Sequence, residues 1–108
     1  MKTDSLPALA RRGGGTTAYV FDWDDEKAQS NAQKHAVSFD EASTVFGDPL
    51  ALLMSDPDHS HQEERYLLLG MSIRRRLVVV AFAERPPLTR LISARRATRT
   101  ERKRYEEG

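Results

Sequence analysis

The chain has 108 residues, 17 Lys/Arg against 16 Asp/Glu, 39% apolar residues and no cysteine. That length supports one modest core, and the missing thiols exclude a disulfide framework and a thiolate metal site, a composition suited to a reducing cytoplasm. The near-zero net charge conceals a polarity: residues 1–73 hold 6 basic against 12 acidic side chains and residues 74–108 hold 11 against 4, which fits the C-terminal third to a polyanion or an acidic protein.

Residues 1–18 contain one short apolar run broken by Pro7 and a triple glycine, Gly13 to Gly15. They read as a flexible extension, neither a signal peptide nor a membrane span, ahead of a single domain over residues 19–108. Tyr19-Val20-Phe21 reads as a short strand. A helix follows from about Asp25 to His35, its acidic start favouring the positive end of the helix dipole. Its apolar content is thin, mainly Ala28 and Ala32, while Lys27, Asn31, Lys34 and His35 share one face. Ser38-Phe39-Asp40-Glu41 has the form of a capping box and opens a second helix, in which Phe39, Ala42, Val45 and Phe46 recur at helical spacing until Gly47-Asp48-Pro49 stops it.

From Leu50 the period changes. Leu50–Ser55, Arg65–Met71, Arg76–Glu84 and Leu88–Arg95 read as four strands of an antiparallel meander, joined through Asp56-Pro57-Asp58, Ser72–Arg75 and Arg85-Pro86-Pro87. The run Leu77-Val78-Val79-Val80-Ala81-Phe82 marks the third as the central strand, covered on both faces. The fourth alternates Leu91 and Ser93 against Arg90, Ile92 and Ala94. Thr98-Arg99-Thr100-Glu101 is a second capping box, opening a helix to about Glu107. This helix has almost no apolar stripe, Tyr105 apart, and cannot dock by burial alone. The predicted architecture is α+β: an N-terminal strand and two helices, a four-stranded antiparallel meander and a C-terminal helix.

These residues also resemble a known family. Phe21-Asp22-Trp23-Asp24, Lys27, Asn31, Lys34-His35, Val37-Ser38-Phe39 and Glu41-Ala42 look like the N-terminal signature of the BrnT toxins. Asp48-Pro49-Leu50, Asp58-His59, Glu64-Arg65 and Gly70 continue it, and Arg90, Ile92-Ser93-Ala94-Arg95 and Ala97 through Glu101 to Tyr105-Glu106 close it. The resemblance implies a RelE-like fold and a metal-independent ribonuclease that blocks translation in the cytoplasm. It implies as partner a BrnA-like ribbon-helix-helix antitoxin, with operator DNA contacted only through the antitoxin complex. One departure is Ala36, which stands where the family commonly has Gly after the helix-ending His; a left-handed cap there is harder for Ala.

Cleaving RNA without a metal means helping a 2′-hydroxyl attack its neighbouring phosphate and then stabilising the charged phosphorane, work suited to arginine forks. Arg65, Arg95 and Arg96 flank strand ends of one sheet and, with Lys27, are expected to form a phosphate-binding floor, Lys27, Arg65 and Arg95 in catalytic roles. The competing reading pairs these arginines with Glu64, Glu84 or Glu101 as ordinary surface bridges. An imidazole of ordinary pKa, about 6.5, suits proton transfer near neutrality, which makes His35 the candidate acid or base, or else a cation at a helix end. Lys34, Arg74, Arg96, Arg99 and Tyr105 are candidate substrate contacts, though Tyr105 also suits packing beneath the last helix, and the basic run Arg74 to Arg76 suits phosphates without sequence reading. Asp56, Asp58, His59 and His61 match no closed zinc spacing, so neither a metal nor another cofactor is expected. The alternative to a ribonuclease toxin is a non-catalytic RNA- or DNA-binding regulatory module.

Overall fold

A computed structural model of the chain describes residues 19–56 and 64–108. The expected N-terminal extension, the turn at Pro57 and Asp58, and the His59 and His61 pair lie outside the described residues. Chain order is β1 (Val20–Asp22), α1 (Asp25–His35), α2 (Phe39–Thr44), a 3-10 turn (Val45–Gly47), β2 (Leu52–Ser55), β3 (Arg65–Met71), β4 (Leu77–Arg85), β5 (Leu88–Arg96) and α3 (Arg99–Glu107). Among the described residues the strands form one sheet, ordered β1-β5-β4-β3-β2. The expected antiparallel meander runs from β2 to β5. β1 joins its β5 edge in parallel, Val20 to Asp22 opposite Leu88 to Arg90.

The predicted central strand is central: Leu77 through Ala83 of β4 are all buried. Val78, Val80 and Phe82 point to one face of the sheet, where Val37, Phe39, Ala42, Val45 and Phe46 cover them. A run of ring contacts binds this layer, Phe46 touching Tyr19, Phe21 and Phe82, with Trp23 edge-on to Phe39. Gly70 is a close approach: a Cβ there would lie 2.9 Å from the Ala51 Cβ and 3.1 Å from a carboxylate oxygen of Asp48. Any side chain at 70 would displace one of them.

Several local expectations are corrected. β4 continues through Arg85, which pairs with Leu88, so the connection shrinks to Pro86 and Pro87. Strict alternation in β5 fails because the register shifts at Ile92: Ala81 faces Ser93 while Phe82 faces Leu91. This bulge turns both Leu91 and Ala94, three residues apart, into the helix-covered core. In α1 the buried residue is Asn31, and Ala32 is exposed. Finally, only half of the Ser38 box forms. The Ser38 hydroxyl accepts from the Glu41 amide at 3.0 Å, but the Glu41 carboxylate is buried and turned toward β3 and β4.

Candidate active site

α1 brings the basic face to β5. Its start is fixed by Asp24, whose carboxylate accepts from the amides of Glu26 at 2.8 Å and Lys27 at 3.2 Å. Its end is a left-handed cap at Ala36, φ 58° and ψ 31°, donating back to the Ala32 carbonyl. Between them Asn31 works as a surrogate strand. β1 covers the outer edge of β5 only as far as Arg90, and beyond it the Asn31 amide takes over. Its oxygen accepts from the Ala94 N–H at 3.0 Å, and its nitrogen donates to the Ala94 and Val37 carbonyls at 2.8 and 2.9 Å. Helical spacing groups Asn31 with the polar face; its burial reassigns it to holding α1 on the sheet.

With Asn31 turned inward, Lys27, Lys34 and His35 line an open groove of about 210 Å³ together with Ser30, Asn31, Ile92 and Ser93. The β5 bulge presents Ile92 and Ser93 there, a frequent use of bulges beside functional sites. Lys27, Lys34 and His35 are exposed and have no carboxylate partner among the described residues. A groove carrying two amines and an imidazole, walled by one aliphatic side chain, can hold a phosphodiester and move a proton beside it.

Arg95 lies two residues beyond Ser93 and opposite Val79, which faces away from the helices. Both of its terminal nitrogens are engaged by Glu101, at 2.8 and 2.9 Å. This fork holds the Glu101 carboxyl down to about 2 and keeps Arg95 firmly charged. Arg65 opens β3 opposite Ala83, with Arg90 on the other side of that residue. It shares a sheet face with Arg95 but sits four residues, roughly 13 Å, and two strands, roughly 10 Å, away. Arg65 has polar contacts of its own, and Arg90 reaches Asp22 at 2.5 Å. Arg96 pairs with Val78 on the opposite sheet face and is exposed. The expected floor is therefore divided by the sheet: Arg65 and Arg95 lie on the face away from the helices, Arg96 on the face that the helices cover, and Lys27 on α1 beside Ile92 and Ser93.

The remaining candidates divide by what they touch. Arg74 is two-thirds exposed, 3.8 Å from Glu41, and Arg99 is exposed at the start of α3. Tyr105 donates its hydroxyl to Asp48 at 2.6 Å, and its pKa is pushed up to about 12, first by burial and then by that carboxylate. It is half-buried on the side of α3 that meets the body. Arg76 donates to both Glu41 oxygens and to the Ala36 carbonyl, so this member of the basic run is architectural. Three polar residues carry structural roles that the sequence did not assign to them: Asn31, grouped by spacing with the polar face of α1, Glu41, read as a capping-box residue, and Asp48, read as part of a helix stop. Their partners lie far along the chain, where no local pattern signals them. Among the described residues no three potential metal ligands cluster, and no helix is long and apolar enough to cross a membrane.

A family model described as the ribonuclease toxin BrnT of type II toxin–antitoxin systems matches residues 23–101. Among solved structures, the chain is similar to the 1.1 Å crystal structure of the Brucella abortus ribonuclease toxin BrnT, with a TM-score of 0.59 and 20% identity, over 76% of this chain and 100% of that one. At that identity the likeness is one of fold. No curated protein matches.

Proposed function

The chain belongs to the BrnT ribonuclease toxins of type II toxin–antitoxin systems, and from that membership we propose that it cuts RNA at the β5 edge, without a metal, and so blocks translation in the cytoplasm. Family membership decides for an enzyme over a non-catalytic binding module. The observation that supports the siting is the groove where Lys27, Lys34 and His35 stand beside Ser93, two residues from Arg95, with no carboxylate partner among the described residues.

In this reading the substrate phosphate sits at the groove mouth. The 2′-hydroxyl attacks phosphorus while its proton passes to a base, the bond to the 5′ oxygen breaks, and that oxygen takes a proton. The products are a 2′,3′-cyclic phosphate and a 5′-hydroxyl. His35 moves a proton, Lys27 standing as the alternative, and Lys27 and Lys34 hold the non-bridging oxygens. Arg95 stabilises the charge that builds in the phosphorane. Arg65, Arg74, Arg96 and Arg99 track flanking phosphates. Neutralisation falls to a ribbon-helix-helix antitoxin of the BrnA kind, through which operator DNA is bound.

The test is induction of the chain alone, with growth and total RNA followed together. Arrest with RNA decay is expected, both lost in folded Lys27→Ala, His35→Ala and Arg65→Ala, Arg95→Ala double variants, and growth restored by the co-expressed antitoxin. Healthy growth with intact RNA, or unimpaired toxicity of both double variants, would overturn it.

A further inference from the structure

Among the described helices, α3 is attached to the body in a way of its own. It buries no residue. Among the described residues, its side chains reach the rest of the protein by two polar links, Glu101 to Arg95 and Tyr105 to Asp48, four positions apart and so on one face. Arg99, Arg102, Lys103 and Arg104 are exposed.

The first link has a particular geometry. Each Glu101 oxygen accepts from a different terminal nitrogen of Arg95, the fork-to-fork pairing that a guanidinium makes equally with carboxylate and with phosphate. One of these oxygens also accepts from the Thr98 amide at 2.9 Å, closing the capping box, so the carboxylate is held at this spot by its own helix. Two anions cannot share one fork. We propose that Glu101 is a built-in stand-in for an RNA phosphate: it presets the Arg95 fork at the β5 edge and must give way when substrate phosphate arrives. α3 then acts as a strap whose release accompanies RNA binding. This rests on the proposed role of Arg95 in the ribonuclease.

The alternative assignment, that Glu101 only props Arg95 in its working position, predicts the opposite sign on removal. Glu101→Gln keeps a carbonyl oxygen for the cap but loses the charge that competes with phosphate. Binding of a labelled 2′-O-methyl RNA oligonucleotide, which cannot be cleaved because its 2′ oxygen carries no proton, is measured between about 50 and 200 mM salt. The Glu101→Gln protein is expected to bind about three- to tenfold more tightly across that range with the salt slope unchanged, because Arg95 meets the same phosphate in both proteins once Glu101 has given way. Glu106→Gln, an equal charge change at an exposed position of the same helix, supplies the baseline that Glu101→Gln must exceed.

Adding Arg95→Ala should abolish the difference in binding between the wild-type and Glu101→Gln backgrounds. Tyr105→Phe, which loosens the second link without touching the fork, should tighten binding in the same direction and reports if Glu101→Gln fails to fold. Unchanged or weaker binding in the folded variants overturns the proposal. Failure of the wild-type chain to bind the oligonucleotide at any salt overturns instead the siting of RNA on this surface.

Discussion

Two helices of this protein open with the same four-residue pattern and use it in opposite ways. At Ser38-Phe39-Asp40-Glu41 the first helical residue is Phe39, buried against the sheet, and the turn that carries it inward carries Glu41 inward as well. Its carboxylate accepts from Ser72 at 2.6 Å and from Arg76, and leaves its own cap. At Thr98-Arg99-Thr100-Glu101 the first helical residue is Arg99, exposed, and both arms of the box close. A capping box is thus a local preference that stands where the helix is free and yields where burial turns the glutamate toward a better partner. α2 is part of the core; α3 is tied on by polar links.

Breaking the inner glutamate should have the largest effect. Glu41→Ala strips Arg76, Ser72 and the 72–76 turn of their shared acceptor and is expected to destabilise the fold by about 2–4 kcal/mol, read as a fall in the urea midpoint with the slope unchanged. Glu41 titrates below its usual range because Arg76 and Ser72 bond its charged form, with Arg74 adding a weaker attraction, against the opposing effect of burial. The sign follows from this depression: its contribution is present above the ordinary value of 4.5 and is lost as pH falls through the lower folded value. An equal loss of stability in Glu101→Ala would refute the distinction between the two boxes.

pH sharpens the contrast further. Glu101 is held down to about 2 chiefly by Arg95, and Tyr105 is pushed up to about 12 chiefly by burial. The Glu101 link is present above pH 4.5 and fades toward about 2, whereas the Tyr105 link is present below pH 10 and fades toward about 12. Amide hydrogen exchange over α3 should therefore accelerate at both extremes while β4 stays protected at the alkaline end. Uniform loss of protection across β4 and α3 at alkaline pH would contradict it.

Periodicity in the sequence carried most of the architecture. The apolar run at Leu77 to Phe82 could only be a doubly covered strand, and the bare stripe of α3 announced that burial would not hold it. What stayed hidden depended on long-range partners. Nothing near Asn31 signals that β1 stops short of Ala94, and the bulge at Ile92 is visible only once β4 supplies the register. The site was legible as residue types on α1 and β5, and its geometry was not: pattern alone placed Arg65 beside Arg95, whereas strand register sets them on different rows.

Asn31→Ala tests the hidden edge directly. It leaves the Ala94 amide and carbonyl without their partner on the outer edge of β5, for an expected loss of about 2 kcal/mol, and it should impair RNA cleavage more than Tyr105→Phe does, because α1 carries the groove. Tyr105→Phe removes one bond from an Asp48 carboxylate that keeps the amides of Leu50 and Met71, so about 1 kcal/mol is the expected loss, confined to the attachment of α3.

The smallest effect runs the other way. Ala36 sits at φ 58°, a conformation that the Cβ of Ala resists and Gly adopts freely, and Arg76 grips its carbonyl at 2.9 Å as part of the Glu41 cluster. The inner glutamate network thus holds a strained cap as well as a helix. Ala36→Gly should raise stability by about 0.5–1 kcal/mol, the relief of strain outweighing the extra freedom of the unfolded chain. The gain should be smaller in a Glu41→Gln background if the weakened network lets residue 36 relax, and unaltered in a Glu101→Gln background. Thermal melts of these combinations decide it: a loss of stability on introducing Gly would mean that the cap is unstrained, and an equal gain in both backgrounds would separate Ala36 from the Glu41 network.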